Sequence, residues 1–229
     1  MPTRVLTVQA LSAVTLLCTG CSSLPPASIE PPAVLADQSP HRIAGLGGAR
    51  QGQLNVAGWH GPYRRGADRL SLFSDAATFV WADASGELRT DDGREMRWQC
   101  RGRQAGVGGH VVQLPVRPWN LRCEVRGAVV ADLVINADAT AVVEDRRSGE
   151  WEASGRRWRI ESLHRWAGTP LISQTPTGYV LRSDDGLPVA ALELNGPNPR
   201  VWLPTQDPAL QAQAVMATVM LAAVWDPAR

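Results

Sequence analysis

Two cysteines lie in segments where polar and apolar residues alternate, and their thiols are candidates for chemistry. The segments read Met96-Arg97-Trp98-Gln99-Cys100-Arg101 and Leu121-Arg122-Cys123-Glu124-Val125-Arg126. Because side chains alternate between the two faces of a strand, Cys100 and Cys123 share the apolar, core-facing side. The arginines and Glu124 take the other side. We predict a disulfide bond between Cys100 and Cys123; two buried free thiols are the alternative.

Other residue types with chemical potential form no specific constellation. The histidines, His41, His60, His110 and His164, are scattered along the chain. A glycine-rich loop precedes His110 and could hold an anion, but a flexible hairpin loop is the simpler interpretation. His164 is most simply a strand residue. No His or carboxylate shares the inward face of the cysteine segments at ligand spacing, so we expect no metal site and no cofactor.

Two carboxylate pairs, Asp91-Asp92 and Asp184-Asp185, each precede a glycine. This pattern predicts hairpin turns, with a glycosidase pair as the weaker alternative. The chain has no GxSxG, HExxH, Walker A or Rossmann glycine motif. We therefore predict that the protein is not an enzyme.

Arginines cluster at three places with tryptophans nearby in sequence: Arg64-Arg65, Arg146-Arg147 and Arg156-Arg157-Arg159, with Trp151, Trp158 and Trp166. Such a surface could bind anionic lipid headgroups, lipopolysaccharide or a glycan. The alternative, which we favour, is a solvated strand face balanced by neighbouring acids: Glu144, Asp145, Glu150, Glu152 and Glu161. The formal net charge of +1 argues against a nucleic-acid partner.

The first residues have the organisation of an export signal. Arg4 supplies one positive charge, residues 5–17 are almost wholly apolar, and small residues follow up to Gly20-Cys21. The ending resembles the signal peptides of bacterial lipoproteins. That resemblance implies cleavage before Cys21, lipidation of Cys21 and, because Ser22 rather than Asp follows, the outer membrane of a Gram-negative bacterium. Cys18 stands where leucine is usual, three positions before the cut. Cleavage would remove Cys18, so the Cys18-Thr19-Gly20-Cys21 string is not interpreted as a redox motif.

Two other interpretations of this segment are weaker. The apolar run is too short for an uncleaved membrane helix, which needs about 20 residues. Cleavage by an ordinary signal peptidase would leave a soluble protein. An exported protein meets an oxidising compartment, which favours the Cys100–Cys123 disulfide.

The rest of the chain divides into two parts. Residues 21–40 are rich in Pro, Ala and Ser, and we predict an extended tether. From residue 41 to 229, turn signals separate short apolar or alternating runs at spacings of roughly 8–12 residues, which indicates an antiparallel barrel or sandwich. The nine tryptophans are expected to fill a wide core.

One strong helix is predicted at the end, over residues 208–225. Asp207 is a good N-cap and Pro208 a good first helical residue. After Gln213, Thr218 is the one polar residue before Trp225. A helix that is apolar all round is buried on every side or lies in a membrane. About 17 residues with two glutamines near one end is marginal for spanning a bilayer, so we favour a helix enclosed by protein. We therefore predict an all-β fold with one C-terminal helix, in which about twelve antiparallel strands enclose the helix.

This arrangement resembles the tubby-like family, which includes the tubby C-terminal domain, plant LURP-type proteins and phospholipid scramblases. The resemblance is carried mainly by residues 178–225: a strand, the Asp184-Asp185-Gly186 turn, a strand, Val201-Trp202-Leu203-Pro204 and the apolar helix. It implies a twelve-stranded barrel around the helix, and no ligand residue is carried over. A lipocalin-like barrel and a β-sandwich are the alternatives; Gly58-Trp59-His60 does not match the lipocalin Gly-x-Trp start.

The expected function is that of a lipid-anchored, non-catalytic cell-envelope protein with a binding or scaffolding role. Its partners would be the membrane, through the anchor, and an envelope protein, an anionic lipid or a glycan. The alternative is a carrier that holds a lipid or another amphiphile inside the barrel. A filled barrel disfavours the carrier, whereas a hollow one would favour it.

Overall fold

The structure is a computed structural model that describes residues 28–73, 76–108, 113–140, 144–204 and 207–224. Its elements, in chain order, are α1 (Ala33–Ala36), β1 (His41–Arg42), β2 (Gln51–Val56), β3 (Trp59–Leu72), β4 (Ala77–Arg89), β5 (Glu95–Gly108), β6 (Gln113–Gly127), β7 (Ala131–Ala137), β8 (Arg147–Ala153), β9 (Arg156–Leu163), β10 (Gly178–Ser183), β11 (Pro188–Glu193), β12 (Arg200–Trp202) and α2 (Pro208–Ala223).

The strands form one twelve-stranded antiparallel sheet in which sequence neighbours are spatial neighbours from β2 to β12. The first strand is the exception, because β1 pairs with β12 at His41↔Val201 and Arg42↔Arg200. This pairing brings the two ends of the sheet together, and the sheet curves into a nearly closed barrel. The predicted fold class is confirmed.

The barrel is closed by a short seam between the residues after β1 and strand β2. Ala44 and Asn55 exchange two backbone hydrogen bonds of 2.9 and 3.1 Å. Gly45 follows with a φ of 91°, and a Cβ atom at this position would lie 1.8 Å from the Gln53 carbonyl oxygen. Only glycine fits here. The Tyr63 hydroxyl and the Arg65 guanidinium donate to the Leu46 carbonyl oxygen at 2.8 and 2.9 Å, which holds the loop over the seam.

Helix α2 is enclosed by the barrel, as its composition predicts. Every residue from 212 to 223 is buried, and these side chains join the core formed by the inward faces of the strands. Asp207 caps the helix through its Oδ1 atom, which accepts from the Ala209 and Leu210 amides at 2.8 and 3.2 Å. The buried Thr218 hydroxyl donates to the Ala214 carbonyl oxygen at 2.7 Å. Trp225, the last residue of the predicted helix, lies outside the described residues.

No helix within the described ranges combines the length and the apolar character needed to cross a bilayer. The tryptophans largely fill the core, as expected: Trp59, Trp98, Trp119, Trp151, Trp158 and Trp202 are all buried. Trp151 and Trp158 face each other on β8 and β9 and stack with ring centroids 6.1 Å apart.

Four segments whose residues suggest turns lie wholly within strands instead. They are Gly61-Pro62 in β3, residues 83–86 in β4, Arg117-Pro118 in β6 and residues 147–149 in β8. At Gly61 the reason is close strand approach, because a Cβ atom there would lie 2.0 Å from the Glu87 carbonyl oxygen. The strands from β3 to β6 are consequently long, at 13 to 15 residues each.

The C-terminal part of the predicted tether packs against the barrel. Ile29 and Leu35, on either side of the start of α1, are buried in a small cluster with Ala191 and Trp202. Ile29 and Leu35 hold this segment against the barrel, although its prolines and alanines suggest an extended chain. The first part of the predicted tether, residues 21–27, lies outside the described residues.

Candidate functional site

The predicted disulfide is present. Cys100 on β5 and Cys123 on β6 lie directly opposite each other and are joined. Both are buried, together with Met96, Trp98 and Val125 on the same inward face. The bond therefore links two neighbouring strands from inside the barrel, and the alternative of two free thiols is not what the structure has. Cys21, the predicted lipidation site, lies outside the described residues, as does His110.

The other candidates for chemistry are spread over the molecule. His41 is in β1, His60 is in β3, and His164 follows β9 with its ring between the Ser162 hydroxyl and the Ser173 carbonyl oxygen, at 2.9 and 3.0 Å. Within the described ranges, no group of three or more His, Cys, Asp or Glu side chains could hold a metal ion.

The carboxylate pairs lie in hairpin turns, as predicted. Asp92 and Asp185 accept hydrogen bonds from the hydroxyls of Thr90 and Ser183, and these bonds lower the pKa of each carboxyl. Glycines with positive φ follow at 93 and 186. The hydroxyls hold turn geometry, and the pairs face solvent rather than a cleft.

Two of the three arginine clusters predicted from the sequence have acids in contact, whereas Arg64 donates to the Ser85 hydroxyl and Arg65 to backbone carbonyl oxygens. Arg146 pairs with Glu144 at 3.0 Å and lowers its carboxyl pKa through the hydrogen bond between them. Arg147 pairs with Asp145, and Arg157 lies 3.8 Å from Glu150. Trp151 and Trp158, moreover, are buried and cannot contribute to a surface. The acid-balanced interpretation therefore fits this region.

A different surface stands out, because strands β3 to β6 extend beyond their neighbours at one end. Pairing between β2 and β3 reaches no further than Gln51↔Arg64, and pairing between β6 and β7 no further than Asn120↔Asn136. Residues 113–119 of β6 run past this point, a length of about 20 Å at 3.3 Å per residue. We call residues 66–72, 77–83, 102–108 and 113–119 the four-stranded ribbon.

Four arginines gather where the outer face of the ribbon meets the barrel. Arg101 lies directly opposite Arg122, Arg103 lies opposite Asn120, and Arg117 lies opposite Ala105 beyond a register shift. We call Arg101, Arg103, Arg117 and Arg122 the arginine cluster; together with Gln99, Asn120 and Glu124 these side chains line a groove of about 640 Å³. Within the described part of the chain, none of the four has an ion-pair or hydrogen-bond partner.

A second pair of facing arginines on the same two strands differs in its surroundings, and the Gln99–Glu124 pair lies between it and the arginine cluster. Arg97 and Arg126 also lie directly opposite each other, but Arg97 contacts Glu95 at 2.7 Å and Glu87 at 3.3 Å, and Arg126 contacts Glu124 at 3.4 Å. Like charges opposite each other on neighbouring strands are destabilising. Acids offset this repulsion at Arg97 and Arg126, whereas the Arg101–Arg122 pair has no such neighbour in contact. Asp83 lies opposite Arg101 on β4, but its carboxylate is close to Gly66 on β3 instead.

Large apolar side chains are exposed on the same ribbon and at Phe73, directly beyond the end of β3. Those on the ribbon are Leu70, Leu72, Phe79, Trp81, Val107 and Val116. Phe79 and Trp81 project from the outer face of β4, and their rings stack with centroids 6.3 Å apart. The ribbon thus combines unpaired cations with an exposed apolar surface.

The sequence places the arginines of β5 and β6 on the outer face but does not by itself bring them together. The cluster depends on the register between the strands. The predicted disulfide fixes that register, because if Cys100 faces Cys123, then Arg101 must face Arg122. The exposed apolar residues were missed because strand alternation assigns Phe79 and Trp81 to a face without saying what covers it.

The N-terminal segment docks at the end of the barrel from which the ribbon projects. Because the strands alternate in direction, the ends of β9 and β11 lie at the same end as those of β3 and β5. Glu193, the last residue of β11, accepts a 2.9 Å hydrogen bond from the Ile29 amide. The Ser28 carbonyl oxygen accepts one of 2.7 Å from the amide of Ala167, just beyond β9.

No protein-family model, no curated protein and no solved structure matches the chain.

Proposed function

We propose that this protein is a lipid-anchored, non-catalytic component of the cell envelope that binds an anionic partner through its arginine cluster. The observation that carries the binding role is the Arg101–Arg122 pair, two facing cations with no acid in contact. A bound phosphate, sulfate or carboxylate group would supply the missing countercharge, and arginine suits such groups because it can donate two parallel hydrogen bonds.

The anchoring half of the proposal rests on the sequence. The apolar run that ends at Gly20-Cys21, with Ser22 after it, supports lipidation of Cys21 and residence in the outer membrane of a Gram-negative bacterium. A twelve-stranded barrel with an enclosed C-terminal helix supports a likeness to tubby-like proteins in architecture. We carry no ligand site over from that likeness.

A non-catalytic role is proposed because the sequence has no catalytic motif and the described histidines lie on separate elements. The carrier alternative needs room inside the barrel for a lipid. Helix α2 occupies that interior with a continuous run of buried residues, so we place the binding surface on the outside.

Binding is tested by titrating the protein with a soluble polyphosphate, inositol hexakisphosphate, in a calorimeter. The variant Arg101→Gln/Arg122→Gln should lose at least tenfold in affinity, and the affinity of the parent should fall with added salt. The matched control is Arg97→Gln/Arg126→Gln, on the same strands but in contact with acids, and it should bind nearly as well as the parent. Equal binding by both double variants and the parent would show that the cluster is not the site.

Anchoring is tested separately in cells of a Gram-negative host. Cys21→Ala should release the protein into the soluble periplasmic fraction or leave its signal uncleaved, whereas the parent should be found in the outer-membrane fraction with an acylated mass. An unchanged membrane fraction together with an unchanged mature mass would refute lipidation at Cys21.

A further inference from the structure

We propose that the anionic partner is a lipid bilayer, and that the four-stranded ribbon docks onto it with its hairpin ends inserted into the headgroup region. The inference rests on the proposed function, since it names the class of ligand for the arginine cluster. It is carried by the order in which side chain types follow one another along the outer face of the ribbon.

The strand registers define rows across the ribbon. Nearest the hairpin ends are Leu72, Ala77 and Val107, and the next row holds Leu70, Phe79, Ala105 and Arg117. The following row contains Asp68 and Trp81 beside Arg103, and the row after it contains Asp83 and Arg101 beside Arg122. Apolar side chains predominate nearest the tip, the tryptophan follows, and arginines outnumber the two acids toward the barrel, which is the order of depth in a membrane interface. There aliphatic side chains reach the acyl region, indole rings lie at the headgroup level, and guanidinium groups meet phosphates.

Phe73, beyond the end of β3, adds an independent observation. Its side chain is 84% exposed and its φ is 53°. A bulky residue in the left-handed region is strained, and glycine or asparagine would adopt this conformation more easily. Neither its packing nor its backbone explains a phenylalanine at this tip. Insertion into a bilayer would bury the ring and account for it.

The position of the N-terminal segment is consistent with docking on the membrane that holds the anchor. Ile29 is bound at the ribbon end of the barrel, and Cys21 precedes Ser28 by seven residues, which can span at most about 25 Å. An acyl chain on Cys21 and the tip of the ribbon would therefore enter the same leaflet.

The experiment uses the chain from Ser22 to Arg229, which lacks any acyl group and retains every described residue. Co-sedimentation is measured with vesicles of phosphatidylethanolamine and phosphatidylglycerol, and with vesicles of phosphatidylcholine alone. The parent should bind the anionic vesicles and bind the neutral ones much more weakly. Arg103→Gln/Arg117→Gln/Arg122→Gln should weaken binding to the anionic vesicles by about 100-fold, since each basic residue near such a surface contributes about fivefold.

The apolar contribution is tested by Leu70→Ser/Leu72→Ser/Phe73→Ser, which should weaken binding by about tenfold or more. The matched control is Val130→Ser/Leu187→Ser. These residues are 64% and 59% exposed and lie in the β6–β7 and β10–β11 loops, at the opposite end of the barrel. The control should bind like the parent. A circular-dichroism spectrum and a thermal melt of each variant confirm that it is folded.

Orientation is read from an environment-sensitive fluorophore on a single introduced cysteine, which is the accessible thiol because Cys100 and Cys123 are joined. On Ala76→Cys, beside the ribbon tip, the emission should shift to the blue with anionic vesicles. On Leu187→Cys it should not.

Three results would overturn the inference. They are a failure of the parent to bind anionic vesicles at low salt, equal binding by the ribbon variants and the control, or a blue shift at position 187 without one at 76. If the parent fails on vesicles but binds inositol hexakisphosphate through Arg101 and Arg122, the partner is a soluble anionic molecule and the proposed function stands. If both fail, the proposed binding function is also wrong.

Discussion

Glu193 holds Arg200 by two parallel hydrogen bonds. The Nε and Nη2 atoms of Arg200 donate to the two carboxylate oxygens at 2.9 Å each. Glu193 is only 2% exposed, and its carboxylate also accepts from the Ile29 amide. One buried charge therefore ties together β11, β12 and the N-terminal segment. The Glu193–Arg200 ion pair therefore holds the N-terminal segment, which leads back to the predicted lipid anchor, against the barrel.

Replacement of Glu193 by alanine should destabilise the domain and release the N-terminal segment. The change leaves the Arg200 charge and the Ile29 amide without their partner. We expect a loss of about 3 kcal/mol, at the lower end of the range for broken buried pairs because Arg200 keeps part of its side chain in water. Thermal melts measure the stability, and limited proteolysis should show faster cleavage within residues 28–36.

The control for this variant is Glu161→Ala. Glu161 lies 3.5 Å from Arg182 on the barrel surface, with both side chains partly in water, so its removal should cost less than about 1 kcal/mol. If the two variants melt at the same temperature, the buried Glu193–Arg200 pair contributes no more to stability than a surface ion pair.

Reduction of the disulfide should lower stability without unfolding the protein. A bond that closes a loop of this length stabilises a fold by roughly 3 kcal/mol, which corresponds to about 6–12 °C in Tm for a domain of this size. The measurement compares oxidised protein, protein treated with a reductant, and Cys100→Ala/Cys123→Ala. The last two should melt together and below the first. A reductant that leaves the Tm unchanged would argue against the bond, as would two alkylatable thiols in the unreduced, denatured protein.

A charge in the enclosed helix should prevent folding. Met216 is fully buried and Leu221 nearly so, so Met216→Asp or Leu221→Asp would place a carboxyl in the core with no partner. The penalty is several kcal/mol or more, against a total stability of about 5–15 kcal/mol. The control is Ala209→Asp, an exposed position in the first helical turn, where a negative charge is favourable. Circular dichroism should show a folded control and unfolded core variants; a core variant that melts within a few degrees of the parent would contradict an enclosed helix.

Acid should weaken the fold partly through carboxylates in the turns. Hydrogen bonds from neighbouring hydroxyls lower the pKa of Asp92, Asp138 and Asp185. A depressed pKa in the folded state contributes stability that is present above the unfolded value of about 3.9 and is lost as pH falls through the folded value. The triple variant Asp92→Asn/Asp138→Asn/Asp185→Asn should therefore lose less Tm than the parent between neutral pH and strong acid. Parallel Tm curves for the two proteins would exclude this contribution.

The main features of this fold could be predicted from the sequence because each depends on residues that are close together in the chain. Alternation placed Cys100 and Cys123 inward, and Asp207-Pro208 marked the start of the helix. The inward face of the long strands, however, includes glycines that serve close strand contact. Gly61 is part of a Gly-Pro pair that suggests a turn, although it is the third residue of β3.

The candidate site was harder to predict because it depends on where strands stop relative to one another. Nothing in the sequence of β6 shows that β7 ends at Ala137 and leaves residues 113–119 projecting. The docking of Ile29 and Leu35 depends likewise on an outer face of β11 that is apolar. The sequence does indicate this apolar outer face. The run Val189-Ala190-Ala191-Leu192 lacks alternation, which is typical of a strand buried on both faces.

The position of the enclosed helix at the C-terminus governs when the domain can fold. Synthesis delivers the hairpins from β2 onward first, and each can form from local pairings. The inner face of the sheet stays uncovered until helix α2, residues 208–223, has been synthesised. Strand β1 cannot pair with β12 until β12 has also been synthesised. A nascent chain therefore carries a growing, open sheet with an uncovered apolar face. Closure is the last step and joins segments near the two ends of the domain, so a chaperone that shields the inner face should be most effective just before release.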